Sequence, residues 1–397
     1  MTAPSKRLCL LSAHFPPDLS GDGDYTYFLA NALARIGCDV QVITAVGEMD
    51  TVLYPLARGV RVHRVVKTWG VRGLPDLLRA VRSLRADVLV VQYAPHAFDP
   101  RGITLGVNLL PALIRVGTRI RVIVNFHEVY TSFDRSLRHC LGSLWQRAMG
   151  FLIATPSHVL TAVSTEWPRL LRCVGVRKPT HVIPVGSNIP RADVGAGELR
   201  AIRNKLGVGP DTLLIGCFGS AGVHRDAGLL LATVRRAHPK HSLKLVWLGE
   251  SGLCVERRTE SRRVTQTHTD GGDVIWTGPL PHPEISRTMS ACDLFVLPFT
   301  DGISTKRGTL AAALLHGLPV LTTRGKRLDD VFVHGENIYL APLGDEQAFG
   351  ERLLELARRS ELRTRLAKGG RVLHDAHFRW DLIAKQVARL AEDRSDW

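Results

Sequence analysis

The segment DGISTKRGTLAAALLHGLPVLTT, residues 301–323, places an acid, two glycines and two adjacent cations in its first eight positions before turning apolar and alanine-rich. Backbone N–H groups left open at the start of such a helix, together with its dipole, favour a bound anion. Gly302 and Gly308 let backbone approach a ligand, Ser304, Thr305 and Thr309 offer hydroxyls, and Lys306 and Arg307 supply positive charge. The competing reading is a solvated turn that merely caps a buried helix. Position argues for the anion site: the loop follows the apolar run LFVLPF, and open parallel sheets bind ligands outside the carboxyl ends of their strands. FGSAGVHRDAGLLL, residues 218–231, repeats the theme of strand, glycine loop and helix, with Gly219 and Ser220 in the turn and Arg225 set as a phosphate clamp.

A second set of candidates lies near the start of the chain. SGDGDYT, residues 20–26, follows a first apolar strand, but Thr26 stands where a dinucleotide fingerprint needs its third glycine. Asp22-Gly23-Asp24 also mimics an aspartate pair that holds a divalent metal. A glycine turn leading into a helix is the wrong setting for that, so no metal is expected here. The preferred reading is a backbone loop in which Gly23 approaches a leaving phosphate while Asp24 faces a substrate hydroxyl or caps the helix. His127 ends the strand IRVIVNFH and is a hydrogen-bonding or acid/base candidate, with a structural role as the alternative. It is no zinc motif, because Thr131 occupies the second ligand position. His14 and His96 sit at similar strand ends in less suggestive surroundings. Gly325-Lys326 is no P-loop, since Val320 stands where its glycine belongs.

The elements that position these residues alternate between short, branched, apolar strands and amphipathic helices, the pattern of a parallel sheet covered on both faces. Strands are expected at 7–13, 39–45, 86–93, 120–127, 158–165 and 180–186, with a helix at 23–37. A polar, glycine- and proline-containing stretch, 187–212, interrupts the pattern. It restarts with strands at 213–219, 243–249, 273–278, 292–299 and 319–323, and a helix closes the chain at 378–394. The fold class is therefore α/β, with two Rossmann-like doubly wound domains.

The chain has 397 residues, which suits two domains, and its 45% hydrophobic and 22% charged content is that of a globular protein. A formal charge of +15 selects anionic partners. Arginine is dispersed over helices such as LLRAVRSLRADV (77–88) instead of gathering in one arm, which argues against nucleic acid. The seven cysteines form no C-x-x-C pair and indicate a reducing compartment. No leader pattern and no membrane-spanning run is present, so a cytoplasmic location is expected. The basic helices, with RHCLGSLWQRAMGFLIA (138–154), are either ordinary core helices with basic outer faces or a peripheral contact with an anionic membrane.

In order and spacing, HFPPDLSGDGDYTYFLANALARIGCDVQVIT, NFHE, VIPVGSN, FGSAGVHRDAGLLL, VIWTGPLPHPEISRTMSACDLFVLPF, HGLPVLTT and HGENIYLAPLGD resemble a bacterial GT-B glycosyltransferase of family 4. The resemblance covers nearly the whole chain. It implies two domains facing across a cleft: residues 1–186 with 376–397 bind the acceptor, the last helix crossing back, and 187–375 bind a nucleotide-sugar. It also implies retention of anomeric configuration and no cofactor beyond the donor substrate, with a small-molecule or lipid-linked acceptor. His127 matches the strand-end histidine that contacts the transferred sugar, and Gly23 the glycine near the donor diphosphate. One departure stands out. The family's paired glutamates fall on Ser304 and Ala312, so their roles pass to Asp301, Ser304 and Thr309 or are lost. An epimerase on the same fold and a non-catalytic nucleotide-binding relative are the rival readings.

Overall fold

A computed structural model describes residues 6–18, 20–129, 137–222, 224–237, 242–249, 268–270 and 274–393. Two compact units divide the chain, Met1–Gly186 with Trp380–Trp397, and Ser187–Arg379. The return to the first unit falls at Trp380 and not at residue 376, because a helix of the second unit runs unbroken to His377.

The first unit contains β1 (Arg7–Leu11), α1 (Gly21–Arg35), β2 (Asp39–Ala45), β3 (Val60–Val66), α2 (Leu74–Ser83), β4 (Val88–Tyr93), α3 (Pro95–Phe98), α4 (Leu105–Gly117), β5 (Arg121–Phe126), α5 (Leu137–Ala154), β6 (Val159–Ala162), α6 (Glu166–Cys173) and β7 (Thr180–Val182). Its strands form one parallel sheet in the order β3-β2-β1-β4-β5-β6-β7. β4 and β5 are buried along their whole length, which is why VLVVQY and RVIVNF read as nearly continuous apolar runs. The strand β3 was not expected from the sequence. Its VRVHRVV carries polar side chains because it is the sheet's edge, with only its two ends buried. At the opposite edge β7 stops at Val182, shorter than the expected 180–186.

The second unit contains α7 (Ala196–Lys205), β8 (Leu213–Phe218), α8 (Ala227–Ala237), β9 (Leu243–Leu248), β10 (His268–Asp270), β11 (Val274–Trp276), α9 (His282–Ser290), β12 (Leu294–Leu297), α10 (Gly308–Leu315), β13 (Val320–Arg324), β14 (Tyr339–Pro342), α11 (Glu346–Arg358) and α12 (Ser360–His377). Its sheet order is β10-β11-β9-β8-β12-β13-β14, parallel except for the antiparallel edge pair β10 and β11. Trp247 in β9 is fully buried and stacks on Trp276, with ring centroids 4.8 Å apart. Its indole N–H is satisfied by the carbonyl of Gly219 at 2.7 Å, so the core grips the loop that follows β8.

The last helix, α13 (Trp380–Glu392), buries Ile383, Val387 and Ala391 in the core of the first unit. Trp380 anchors it, stacking on Phe28 of α1 at 5.6 Å. In each sheet the winding direction reverses once, between β1 and β4 and between β8 and β12. Those reversals leave a crevice at the carboxyl ends of the strands, where doubly wound sheets bind ligands.

Candidate active site

At the reversal of the second unit the loop 301–309 leaves β12 and enters α10. Its path is fixed from beneath. The backbone N–H of Ile303 donates to the Thr323 carbonyl at 3.0 Å, and that of Thr305 to the buried carboxylate of Asp329 at 2.8 Å. Gly302, at φ 87°, runs so close to the neighbouring chain that a Cβ there would sit 2.2 Å from the Gly325 nitrogen. A glycine is the only residue that this turn admits.

On that frame the cations converge. The guanidinium of Arg307 lies 4.4 Å from the centroid of Phe299, and that of Arg225 lies 5.3 Å from it. Arg225 also donates to the Thr309 hydroxyl at 3.0 Å, and room for its guanidinium exists because Gly219, at φ 108°, has no side chain. Asp301 pairs with Lys306 at 3.2 Å and with Arg307. Burial pulls the Asp301 carboxyl upward, but the charges of Arg307 and Lys306 outweigh it and hold it below the usual carboxylate range. Burial likewise lowers Arg225 and Arg307 from the ordinary guanidinium value, the cost of drawing cations together away from water. Three buried polar atoms here have no partner among the described residues: Nε of Arg225, Nε of Arg307 and Oγ of Ser304. Buried donors left unpaired are costly, and an anion would satisfy them.

The structure thus brings Gly219, Arg225, Asp301, Gly302, Ser304, Lys306, Arg307 and Thr309 to one loop cluster. Ser220 is exposed at its margin. Ala312, where the second family glutamate would stand, is fully buried in α10. Phe299, the platform under both arginines, was not singled out in the sequence, since it reads there as one more apolar strand residue.

In the first unit the glycine turn is corrected. Gly21, Asp22, Gly23 and Asp24 form the first turn of α1 instead of a loop before it, and Ser20 caps the helix by accepting from the Gly23 N–H at 3.1 Å. Asp24 is therefore not the cap. Its backbone N–H donates to the Ser20 carbonyl, already within the helix. Gly23 packs against the backbone of His14 and Phe15, where a Cβ would come within 3.3 Å.

His127 stands just beyond β5 over a polar network. Its Nε2–H donates to Gln92 Oε1 at 2.8 Å, the oxygen that also accepts from Asn125 Nδ2 at 2.8 Å, and Thr161 donates to Asn125 Oδ1 at 2.9 Å. Tyr25 meets the imidazole edge-on at 4.6 Å, and Trp167 donates to the His127 carbonyl at 3.0 Å. Burial pushes the imidazole down to about 4, so it stays neutral, and donation from Nε2 to Gln92 makes Nδ1 the acceptor nitrogen. The carboxylates whose charge reaches it are Asp22 and Glu128, and not Asp24. Asp22 in turn holds His14, whose Nδ1 lies 3.2 Å from both carboxylate oxygens. Neither Asp22 nor His14 was chosen from the sequence. The signal that could have found them is their place after the first strand of a doubly wound sheet.

Residues 20–186 match the family model described as Glycosyl transferase 4-like domain, and residues 212–359 that described as Glycosyl transferases group 1. The chain belongs to the family 4-like glycosyltransferases. Amylovoran biosynthesis glycosyltransferase AmsK of Erwinia amylovora is 26% identical to this family member over 116 residues, a stretch that spans 28% of each chain. Among solved structures, Anabaena Alr3699/HepE in complex with UDP and glucose is similar at a TM-score of 0.71 and 15% identity, covering 97% of this chain and 99% of that chain. Sucrose-phosphate synthase from Thermosynechococcus elongatus gives 0.68 and 17%, covering 97% and 98%. At such identities the likeness is one of fold, and the fold is GT-B, two Rossmann-like units with parallel sheets.

Proposed function

We propose that this chain transfers a hexose-like sugar from a nucleotide-sugar to a hydroxyl or amino acceptor, with the donor on the second unit and the acceptor on the first. The observation that carries the reading is the pair Arg225 and Arg307 over Phe299, with Lys306 joined to Arg307 through Asp301 and three buried polar atoms unpaired beside them. Breaking the bond between sugar and diphosphate develops negative charge on the departing phosphate. Cations and helix-terminal N–H groups already in place stabilise that charge without reorganising, which is the largest single source of catalysis in such sites. The same three cations make the reading independent of a metal. In this proposal Asp301 and Ser304 meet the sugar, and His127 of the first unit is a hydrogen-bonding group for a substrate hydroxyl. Uridine diphosphate is the first nucleotide to test, because Anabaena Alr3699/HepE has been solved with UDP and with UDP-glucose.

The family resemblance adds retention of configuration to this proposal, which the anomeric coupling of the product would report by NMR. A cytoplasmic location, with peripheral contact to an anionic membrane bearing a lipid-linked acceptor, rests on the basic charge and on exposed Leu144, Trp145 and Phe151 of α5. Among the described residues no helix is long and apolar enough to cross a membrane.

Calorimetric titration with a panel of nucleoside diphosphates tests the central claim. Micromolar binding of one of them, weakened at least ten-fold in Lys306→Ala, is expected for loss of a charge-assisted contact worth about 1.5–3 kcal/mol. Absence of binding by every diphosphate refutes the donor site.

A further inference from the structure

The amino end of the first sheet holds a buried cation whose side chain pairs with nothing among the described residues. Arg121 begins β5, and His127 stands just past the other end of that strand, about 20 Å away at the usual rise per residue. Arg121 is 3% exposed, and its Nε and Nη1 are buried without a partner. A guanidinium withdrawn from water and left unpaired is costly, so its presence at this position calls for a ligand.

Two further cations share its neighbourhood around His158. Arg115, in the last turn of α4, donates to the Pro156 carbonyl at 3.4 Å. Lys178, ahead of β7, donates to the carbonyl of Thr155 at 3.2 Å and to that of Ser157. Those contacts satisfy carbonyls just past the end of α5, an ordinary use of cations at a helix C-terminus. Arg121 takes no part in them. Nδ1 of His158 accepts from the Val122 N–H at 3.0 Å, and burial, followed by the charges of Arg115, Arg121 and Lys178, lowers its basicity. The ring is therefore neutral with its proton on Nε2, which makes it a donor as well.

We propose that this edge of the first unit binds a phosphate group, with Arg121 holding it from within and Arg115, Lys178 and His158 at the rim. Three fixed positive charges suit a doubly charged phosphate better than a singly charged carboxylate, and the planar guanidinium fork matches its oxygens. The site lies at the opposite end of β5 from His127 and shares no residue with the cations of loop 301–309. Its ligand is a phosphomonoester, carried either by a small soluble molecule or by a lipid headgroup.

Nitrogen NMR of labelled arginine in the full chain, titrated with inorganic phosphate at constant ionic strength, tests this. The Nε–H signal of Arg121, identified by its loss in Arg121→Lys, should shift and saturate at millimolar phosphate. Arg115→Ala should weaken that saturation about five-fold, the scale of an exposed charge pair. Heat unfolding gives a second readout. For a dissociation constant of about 1 mM, replacing chloride by about 10 mM phosphate should raise the wild-type midpoint by about 3–5 °C more than that of Arg121→Met. In chloride alone Arg121→Met should be at least as stable as the wild type, because it removes an unpaired buried charge. An Arg121 signal unmoved throughout the titration, an equal phosphate effect on both proteins, or a less stable Arg121→Met in chloride overturns the inference. Movement of the same signal by glycerol phosphate assigns a soluble ligand, and movement by phosphatidic acid vesicles but not by glycerol phosphate assigns a headgroup.

Discussion

Removing the negative charge of Asp301 should tighten the binding of free nucleoside diphosphate, the opposite of what loss of a substrate-binding residue usually does. In the ligand-free chain Asp301 is the carboxylate that Lys306 and Arg307 hold. A phosphate reaching the same cations lies about 6 Å from that carboxylate, two contact distances of about 3 Å each, and is repelled by it. The Asp301 side chain is 44% exposed, so screening is close to that of water. Coulomb's law then gives about 0.7 kcal/mol per unit of phosphate charge, or about 1.4 kcal/mol for a doubly charged terminal phosphate. Asp301→Asn is therefore expected to bind the diphosphate about three- to ten-fold more tightly. The gain should shrink as salt rises from about 0.05 to about 0.5 M, where the screening length falls below the separation. The lost pairs join a half-exposed carboxylate to two more enclosed cations, so the variant is also expected to be somewhat less stable. Calorimetry at the two salt concentrations is the assay. Unchanged or weaker binding in Asp301→Asn refutes the picture of one carboxylate competing with the ligand for both cations. If Asp301 also orients the sugar, the same variant transfers more slowly while binding the diphosphate better.

Gly302→Ala should displace the loop, since its Cβ would meet Gly325 backbone at 2.2 Å with φ at 87°; we expect at least ten-fold weaker diphosphate binding and about 1–3 kcal/mol lost stability. Gly222→Ala, with nothing within 4 Å, is the neutral control, and equal behaviour of the two would refute the argument. Acid should destabilise the second unit through His316. It is 7% exposed, bonded to the Ala312 carbonyl and the Ser286 hydroxyl, and burial pushes it down to about 4. Its folded value lies below the unfolded one near 6.5, so the unfolded chain binds the extra proton first. Stability is then full above pH 6.5 and falls by about 3 kcal/mol as pH drops to 4. Calorimetric unfolding should show this loss, reduced in His316→Gln, and a midpoint flat from pH 7 to 4.5 would contradict it. Sedimentation with anionic vesicles tests the membrane proposal: binding at low salt that weakens at high salt and in Trp145→Ala is expected, and no salt-sensitive binding refutes it.

Much of the protein was legible in its sequence. Strands buried on both faces leave uninterrupted apolar runs, so β1, β4, β5, β8, β9 and β12 and the two-unit α/β plan could be read directly. Edge strands escape that signal, because water satisfies one side of them, and β3 was missed for that reason. The loop 301–309 announced itself through local composition, glycines and cations beside a strand end, and those residues do gather in one place. What local composition lacks is pairing. Nothing in the order of residues says that Asp301 holds Lys306 and Arg307, that Phe299 underlies two arginines, or that Arg225, 84 residues before Thr309, bonds to it. The histidines show the same limit more sharply. His14 and His127 have similar strand-end settings in sequence, yet burial against Gln92 and Tyr25 keeps one neutral, while a carboxylate eight residues away makes the other basic. Chemistry at a side chain depends on solvent exclusion and on the charge beside it, and only tertiary packing sets either.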